Sequence, residues 1–189
     1  LVFQRMKRQM AEDTLGRHQA LLTGLMGNQL RQEECLSVTL ETLVRLVGDE
    51  TGTDRIAIAV PDLLQPGAVF ARSYLPAYKD FTTETLITGR LAAAVLKTLQ
   101  PGKVSVMDDV AQADVTHSGL RLALSMLDIR SHIQVPITVN GEVRGVIALS
   151  MTGKAQAWSH EIQLFMLAIG NFAALTIERD QRVRAERRL

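Results

Sequence analysis

Two polar side chains inside an apolar hairpin are the residues best placed to do chemistry. Between residues 130 and 150, two β-prone runs flank Asn140-Gly141, a pair that readily adopts the positive φ angles of a two-residue type I′ turn. Counting outward from that turn puts His132 and Gln134 on one face, among leucine and isoleucine. Buried polar groups need hydrogen-bond partners. We therefore expect a ligand on this face, the alternative being that both side chains bind neighbouring backbone groups.

The register of the hairpin can be written out from the turn. It pairs His132 with Leu149 and Gln134 with Ile147. Pro136 has no N–H to give to the ladder, so a bulge or an irregular edge is expected there. Both faces are mostly apolar away from the turn, and both should be covered by other elements.

A second candidate is the carboxylate pair Asp108-Asp109, which follows a short β-prone run. Two close carboxylates could serve as an acid and a base. Acidic residues that end a strand are more often solvated, or they cap a helix. The chain shows no Ser/His/Asp set, no metal-ligand spacing and no phosphate loop. We predict no catalytic residue and no metal site.

Composition excludes several classes of protein. The chain has 189 residues, a net charge of +1 and 4% aromatic residues. It therefore offers neither the charge nor the stacking platforms of a nucleic-acid-binding protein, and we expect no nucleic acid partner. A single cysteine, Cys35, rules out an internal disulfide and an all-cysteine zinc site.

The ends of the chain indicate a fragment. It begins at Leu1 rather than at Met, and whether residues 1–4 are native is left open. No apolar run approaches the roughly 20 residues that span a bilayer, and no signal peptide is seen. We expect a cytoplasmic piece of a longer protein, without membrane contact.

Hydrophobic periodicity predicts an α+β fold with a largely antiparallel sheet. Gly52 should stop one helix, and Ser159 should cap another, with Glu161 in its first turn. Helices are predicted over residues 5–47 with a break at Gly27-Asn28, over 88–99, over 117–127 and from 159 onward. Strands are predicted over 55–60, 69–74 and 103–107 and in the two arms of the hairpin.

The chain resembles the GAF domain family, the small-molecule sensor modules of bacterial signalling proteins and phosphodiesterases. The strongest part of the resemblance is the run of short motifs around the hairpin, in the family's order. These are Ile129-Arg130-Ser131, Val135-Pro136-Ile137, the segment 140–149 and Trp158-Ser159, preceded by Gly89-Arg90-Leu91 and Asp108-Asp109-Val110. The resemblance covers about residues 33–178.

The resemblance implies a six-stranded antiparallel sheet with the terminal helices on one face. Short helices would cover a ligand pocket on the other face. The small Ala57 and Ala59 would leave room there. Carried over position by position, the pocket residues are Arg72, Tyr74, Asp108, Asp109, His132 and Gln134.

The family's known ligands are matched poorly by this sequence. Residues 150–161 lack the Asn and Phe associated with cyclic nucleotide binding. Cys35 is expected on the far side of the sheet, as a small core residue rather than a bilin attachment point. Haem would need an axial ligand such as His117 or His132, although a lone histidine is far more often structural. The sequence thus favours neither haem nor bilin, and the cofactor is unknown.

The last helix carries two apolar stripes, whereas covering a sheet requires one. One stripe contains Phe165, Ile169 and Phe172. The other includes Leu164, Leu167 and Leu175, and we expect it to face a second copy of the chain. A single wide stripe facing the core is the alternative. The predicted dimer interface is Leu22, Leu25, Leu164, Leu167 and Leu175.

The interpretation is a regulatory, non-enzymatic sensor domain of a bacterial signalling protein, active as a homodimer. Residues 1–32 would form a signalling and dimerisation helix, 33–178 the sensor domain, and 179–189 the start of a linker to an output domain. The alternatives are a ligand-free dimerisation scaffold and an enzyme like the free methionine sulfoxide reductases. That enzyme would need a nucleophilic thiolate and a resolving partner, and Cys35 is the only thiol.

Overall fold

The computed structural model of the chain describes residues 2–29, 35–82, 89–113 and 118–187. The chain divides into two compact units, residues 1–34 and 35–189. In the first unit helix α1 runs over Val2–Gln29, so it continues through Gly27-Asn28, where a break was predicted. The predicted domain boundary at 32/33 lies outside the described residues.

The second unit contains four helices and six strands within the described ranges. They are α2 (Leu36–Thr51), β1 (Arg55–Pro61), β2 (Val69–Leu75), β3 (Asp80–Thr82), α3 (Gly89–Thr98), β4 (Ser105–Met107), α4 (Ser118–Met126), β5 (Ile129–Val139), β6 (Glu142–Thr152) and α5 (His160–Glu186). Gly52 ends α2 with a φ of 62°. Ser159 Oγ accepts a hydrogen bond from the Ile162 N–H at 3.3 Å. Both predicted helix ends are thus confirmed.

The strands form one antiparallel sheet in the order β3-β2-β1-β6-β5-β4. Helices α2 and α5 cover one face, which we call the helix face. Gly170 of α5 lies so close that a Cβ there would be 2.8 Å from the carbonyl oxygen of Pro136. Helices α3 and α4 pack against the other face, which we call the site face, around Ala59 and Val146. The predicted α+β architecture is confirmed.

The hairpin forms as predicted, but its register is shifted by one residue. Asn140 and Gly141 have φ angles of 53° and 79°, as a type I′ turn requires. Beyond the turn, Thr138 pairs with Val143 while Ile137 pairs with Gly145. Arg144, between these two partners on β6, is therefore the extra residue of a β-bulge.

The bulge corrects the predicted pairs. His132 lies opposite Ser150 rather than Leu149, and Gln134 opposite Ala148 rather than Ile147. A bulge was expected at Pro136, but the extra residue lies on the partner strand and nearer the turn. Gly145 was the sequence signal for it, because an interior strand glycine often marks a bulge or a close approach. A Cβ on Gly145 would lie 2.9 Å from the carbonyl oxygen of Ala59.

Helix α5 has a buried stripe and an exposed one, as predicted. Phe165, Ile169 and Phe172 are buried, whereas the Leu164 and Leu175 side chains are 54% and 53% exposed. Among the described residues, α5 is the one helix long and apolar enough to cross a membrane, which the sequence interpretation had not expected. Half of its apolar window is buried inside the protein, as in the core helix of a soluble domain, so this is weak evidence for a membrane span.

Candidate ligand site

A row of small and polar side chains crosses the site face from one strand to the next. Strand pairing aligns Ser73 with Ala57, Ala57 with Ala148, and Ala148 with Gln134. Ser105 of β4 extends the row at the far edge. Paired residues in an antiparallel sheet share a face, so these five positions form one line, which we call the polar row. The two alanines at its centre have small side chains, so they project little from the sheet.

His132 lies beside the polar row and links it to β6. Its Nδ1 is 3.0 Å from Ser150 Oγ, and its Nε2 is 3.3 Å from Gln134 Oε1. All three side chains are buried. Burial lowers the pKa of His132 to about 4, against a smaller rise from the hydrogen bond to Gln134. The imidazole is therefore neutral at pH 7, and both of its nitrogens have partners.

Two polar atoms in the row have no partner. Ser73 Oγ and Gln134 Nε2 are buried and make no hydrogen bond with any residue that the structure describes. Leaving such a group unpaired inside a protein costs about 1–3 kcal/mol. An orphaned buried polar atom calls for an explanation, and a ligand on the site face would supply the missing partners.

An apolar wall stands next to the polar row. It joins the helices α3 and α4 to the sheet through Ala92, Val95, Leu99, Leu120, Leu124, Ala59 and Val146, all of them buried. The site face therefore combines an apolar side with a few convergent polar groups, which is the usual make-up of a small-molecule site.

The predicted pocket set is divided by the sheet, and this corrects the sequence interpretation for Arg72 and Tyr74. Both lie on the helix face, paired with Ile58 and Ile56. Arg72 Nε donates to Glu41 Oε1 of α2 at 2.5 Å, and the buried Tyr74 hydroxyl donates to Asp49 Oδ1 at 2.9 Å.

These contacts give the two side chains a structural role. Burial raises the pKa of Tyr74, and the Asp49 carboxylate raises it further, so the phenol stays protonated. The alternation of strand residues explains the error: even-numbered residues of β2 face the helices, and Ser73 between them faces the site.

Asp108 and Asp109 also prove structural. Asp108 Oδ1 accepts a hydrogen bond from the Trp158 N–H at 2.9 Å, just before α5 begins. Asp109 Oδ1 accepts from the Ala111 N–H at 3.0 Å and so caps a short 3₁₀ helix. Of the six predicted pocket residues, only His132 and Gln134 meet on the site face.

Cys35 is exposed and immediately precedes α2. The expectation that it packs in the core is therefore wrong. Its Sγ lies 3.3 Å from Ser37 Oγ, and this hydrogen bond lowers the pKa of the thiol. Because α2 covers the helix face, Cys35 starts on the opposite side of the sheet from the polar row. His117, a sequence candidate for a haem ligand, lies outside the described residues.

Sequence reasoning missed Ser73 and Ser150. Ser73 could have been found from the alternation of β2, since it stands between two residues assigned to the pocket. Ser150 was hidden by the Arg144 bulge, which moves it opposite His132. Among the residues that the structure describes, no three His, Cys, Asp or Glu side chains gather as a metal site would require.

Solved structures with the same fold include chromophore-binding domains. The phycocyanobilin-bound GAF domain of a cyanobacterial phytochrome matches with a TM-score of 0.63 and 17% identity, over 86% of this chain and 94% of that one. The chromophore-binding domain of the Stigmatella aurantiaca bacteriophytochrome matches with a TM-score of 0.58 and 14% identity, over 87% of this chain. The present chain covers 60% of that domain.

A third structure comes from a different kind of protein. The GAF domain of an Acinetobacter phosphoenolpyruvate-protein phosphotransferase matches with a TM-score of 0.59 and 16% identity, over 92% of this chain and 96% of that one. At such identities the likeness establishes the fold alone.

These similarities overturn one sequence expectation. The sequence appraisal set bilin aside as a cofactor, yet structures with this fold include a phycocyanobilin-bound domain and bacteriophytochrome chromophore-binding domains. Setting bilin aside was therefore wrong, because it depended on the position of a single cysteine.

Sequence comparison identifies the family. No curated protein has a sequence that matches this chain. The family model for the GAF domain matches residues 36–177, which is well over half of the chain and runs from the start of α2, through the whole sheet, into α5. The chain therefore belongs to the GAF domain family.

Proposed function

We propose that this GAF domain is a regulatory sensor that binds a small molecule on the site face and passes its ligand state to an output domain through α5. The observation that carries the proposal is the pair of buried, unpartnered atoms, Ser73 Oγ and Gln134 Nε2, on one row of the sheet. A scaffold that needed no ligand would gain stability by replacing both with apolar groups. Their presence therefore favours a binding role over a ligand-free scaffold.

A bilin is one candidate ligand. A long conjugated molecule with polar groups at its ends suits a row that has alanines in the middle and polar side chains towards its ends. Because Cys35 lies on the other side of the sheet, a bilin on the site face would be held without a bond to that thiol. Its colour should then separate from the protein on denaturation.

The route from the site to α5 passes through Ser131, the neighbour of His132 on β5. Ser131 Oγ donates to the Asp108 carbonyl oxygen at 2.8 Å and accepts from the Gln156 N–H at 2.7 Å. Asp108 in turn holds the Trp158 backbone. A shift of β5 on ligand binding would therefore reach the segment that begins α5.

Ligand binding can be tested by thermal shift with nucleotides, amino acids, other metabolites and phycocyanobilin. A ligand that binds only the folded protein raises Tm by mass action. Gln134→Leu should abolish the rise for that compound, and Arg72→Gln should preserve it because Arg72 lies on the helix face. If no compound raises Tm, or if both variants lose the effect equally, the site face is not the sensor site.

We propose further that the domain acts as a homodimer, with Leu22, Leu164, Leu167 and Leu175 at the interface, whereas Leu25, also predicted there, is buried within the chain. The half-exposed Leu164 and Leu175 support this, because large apolar side chains on one stripe favour a partner. Light scattering should show a dimer that the double variant Leu164→Glu/Leu175→Glu converts to monomer. Leu122→Glu, at an equally exposed leucine of α4, is the matched control. A monomeric wild-type protein would refute this part.

The remaining parts of the proposal follow the family. GAF domains are generally sensory rather than catalytic, and we propose the same for this bacterial domain in the cytoplasm. A reductase that used thiol chemistry would need a nucleophilic thiolate and a resolving partner, and Cys35 is the only thiol in the chain. Incubation with free methionine sulfoxide and a thiol reductant should give no turnover, and turnover that Cys35→Ser abolishes would reverse this assignment.

A further inference from the structure

The contacts of His132 link its tautomer to the orientation of the Gln134 amide, which lies with Oε1 towards the ring. A neutral imidazole has one N–H donor and one acceptor nitrogen. Gln134 Oε1 can only accept, so the 3.3 Å contact requires the hydrogen on His132 Nε2. Nδ1 must then accept from the Ser150 hydroxyl at 3.0 Å. The relay runs from Ser150 through His132 to Gln134 Oε1 and leaves the amide NH₂ without a partner among the described residues.

Turning the amide by 180° would reverse every step of this relay. Gln134 Nε2 would donate to His132 Nε2, Nδ1 would donate to Ser150, and the amide oxygen would be the free atom. The tautomer of His132 thus reports whether the site offers a donor or an acceptor. Burial lowers the pKa of His132 to about 4, so the ring is neutral at pH 7 and its single N–H lies on either Nδ1 or Nε2.

Resting on the sensor function proposed above, we infer that the site presents Gln134 Nε2 as a fixed hydrogen-bond donor and takes a ligand whose polar end carries an acceptor oxygen. His132 and Ser150 are positioning residues in this scheme, because they orient the amide and have no free polar atom of their own at the ring. A carbonyl oxygen is the simplest group that fits.

The rest of the row bears on the length of the ligand. Ser73 lies three strands away from Gln134, about 14 Å at the usual strand spacing. The positions between them are Ala57 and Ala148, whose side chains are small and apolar. A ligand that reaches both polar atoms would therefore be a long molecule with an apolar middle and an acceptor at its Gln134 end.

The tautomer can be measured without any ligand. Nitrogen-15 NMR of the full chain at pH 7 distinguishes protonated from unprotonated ring nitrogens of His132. We expect Nε2 protonated and Nδ1 unprotonated in the wild type, and the same pattern in Ser150→Ala, where the contact with Gln134 remains. Gln134→Leu should lose this preference. A wild-type ring protonated at Nδ1 would overturn the inference, since the amide would then face the ligand with its oxygen.

The ligand class can be probed with two molecules of similar shape. Acetophenone carries a carbonyl oxygen, and isopropylbenzene replaces that oxygen with a methyl group. At equal concentration, within the low water solubility of isopropylbenzene, acetophenone should raise Tm more than isopropylbenzene in the wild type, and this preference should vanish in Gln134→Leu. Equal effects in the wild type would overturn the inference.

The two proposals fail separately. If the acetophenone preference and the Nε2 tautomer hold while no metabolite or bilin raises Tm, the sensor function fails and the donor assignment stands. If a metabolite binds while His132 is protonated at Nδ1, the sensor function stands and the donor assignment fails.

Discussion

Two buried serines of the sheet allow a direct test of whether the Ser73 hydroxyl in the polar row lacks a hydrogen-bond partner. Ser73 and Ser131 are both fully buried in strands, but their hydroxyls differ in what they bind. Ser73 Oγ has no partner within the described residues. Ser131 Oγ makes two short hydrogen bonds, to the Asp108 carbonyl oxygen and from the Gln156 N–H. Alanine removes the same atom at both positions, so burial and volume are matched.

The two substitutions should change the free energy of unfolding in opposite directions. Ser73→Ala removes a desolvated, unpaired hydroxyl, which should raise that free energy by about 1 kcal/mol. Ser131→Ala leaves a carbonyl and an N–H without their partner, which should lower it by about 2–3 kcal/mol. At roughly 2–4 °C per kcal/mol for a domain of this size, the Tm values should lie on either side of the wild type.

Urea unfolding can measure both changes through the fluorescence of Trp158, the only tryptophan, which is buried. Equal m-values for the three proteins would show that the midpoints report stability. If Ser73→Ala destabilises the domain as much as Ser131→Ala does, then the Ser73 hydroxyl has a structural partner. The main support for a ligand on this row would then be lost.

Three further predictions follow from the packing and electrostatics. Gly170→Ala should lower stability by about 1–3 kcal/mol in urea unfolding, because a Cβ would press on the β5 carbonyl 2.8 Å away. Gly24→Ala, with open space around it, is the control and should not destabilise. His132 should make stability fall by up to about 3 kcal/mol between pH 6.5 and 4, since only the unfolded chain binds its proton there. That slope should be absent in His132→Asn, and an equal slope in both proteins would refute it. Cys35 should react with iodoacetamide in the folded protein and more slowly in Ser37→Ala, because the Ser37 hydrogen bond lowers its pKa. An unchanged rate would contradict this.

The sequence by itself determined the local elements and the fold class. These local elements include the Asn140-Gly141 turn, the Gly52 helix stop and the Ser159 cap. Each depends on backbone angles and on contacts between residues close together in the sequence, so consecutive residues are enough to predict it. The two stripes of α5 likewise follow from helical periodicity. These features needed no knowledge of what packs against them.

The tertiary structure decided which side chains share the site. One extra residue, Arg144, moved Ser150 and Ala148 into place opposite His132 and Gln134, and a bulge is set by how Gly145 fits against β1. The side of the sheet on which Arg72, Tyr74 and Ser73 lie depends on how β2 pairs with β1. A shift of that pairing by one residue would move the side chains of β2 from the site face to the helix face, and the reverse. Alternation along β2 puts Ser73 on the opposite side from Arg72 and Tyr74, but only the pairing of distant strands shows which of the two sides His132 and Gln134 share.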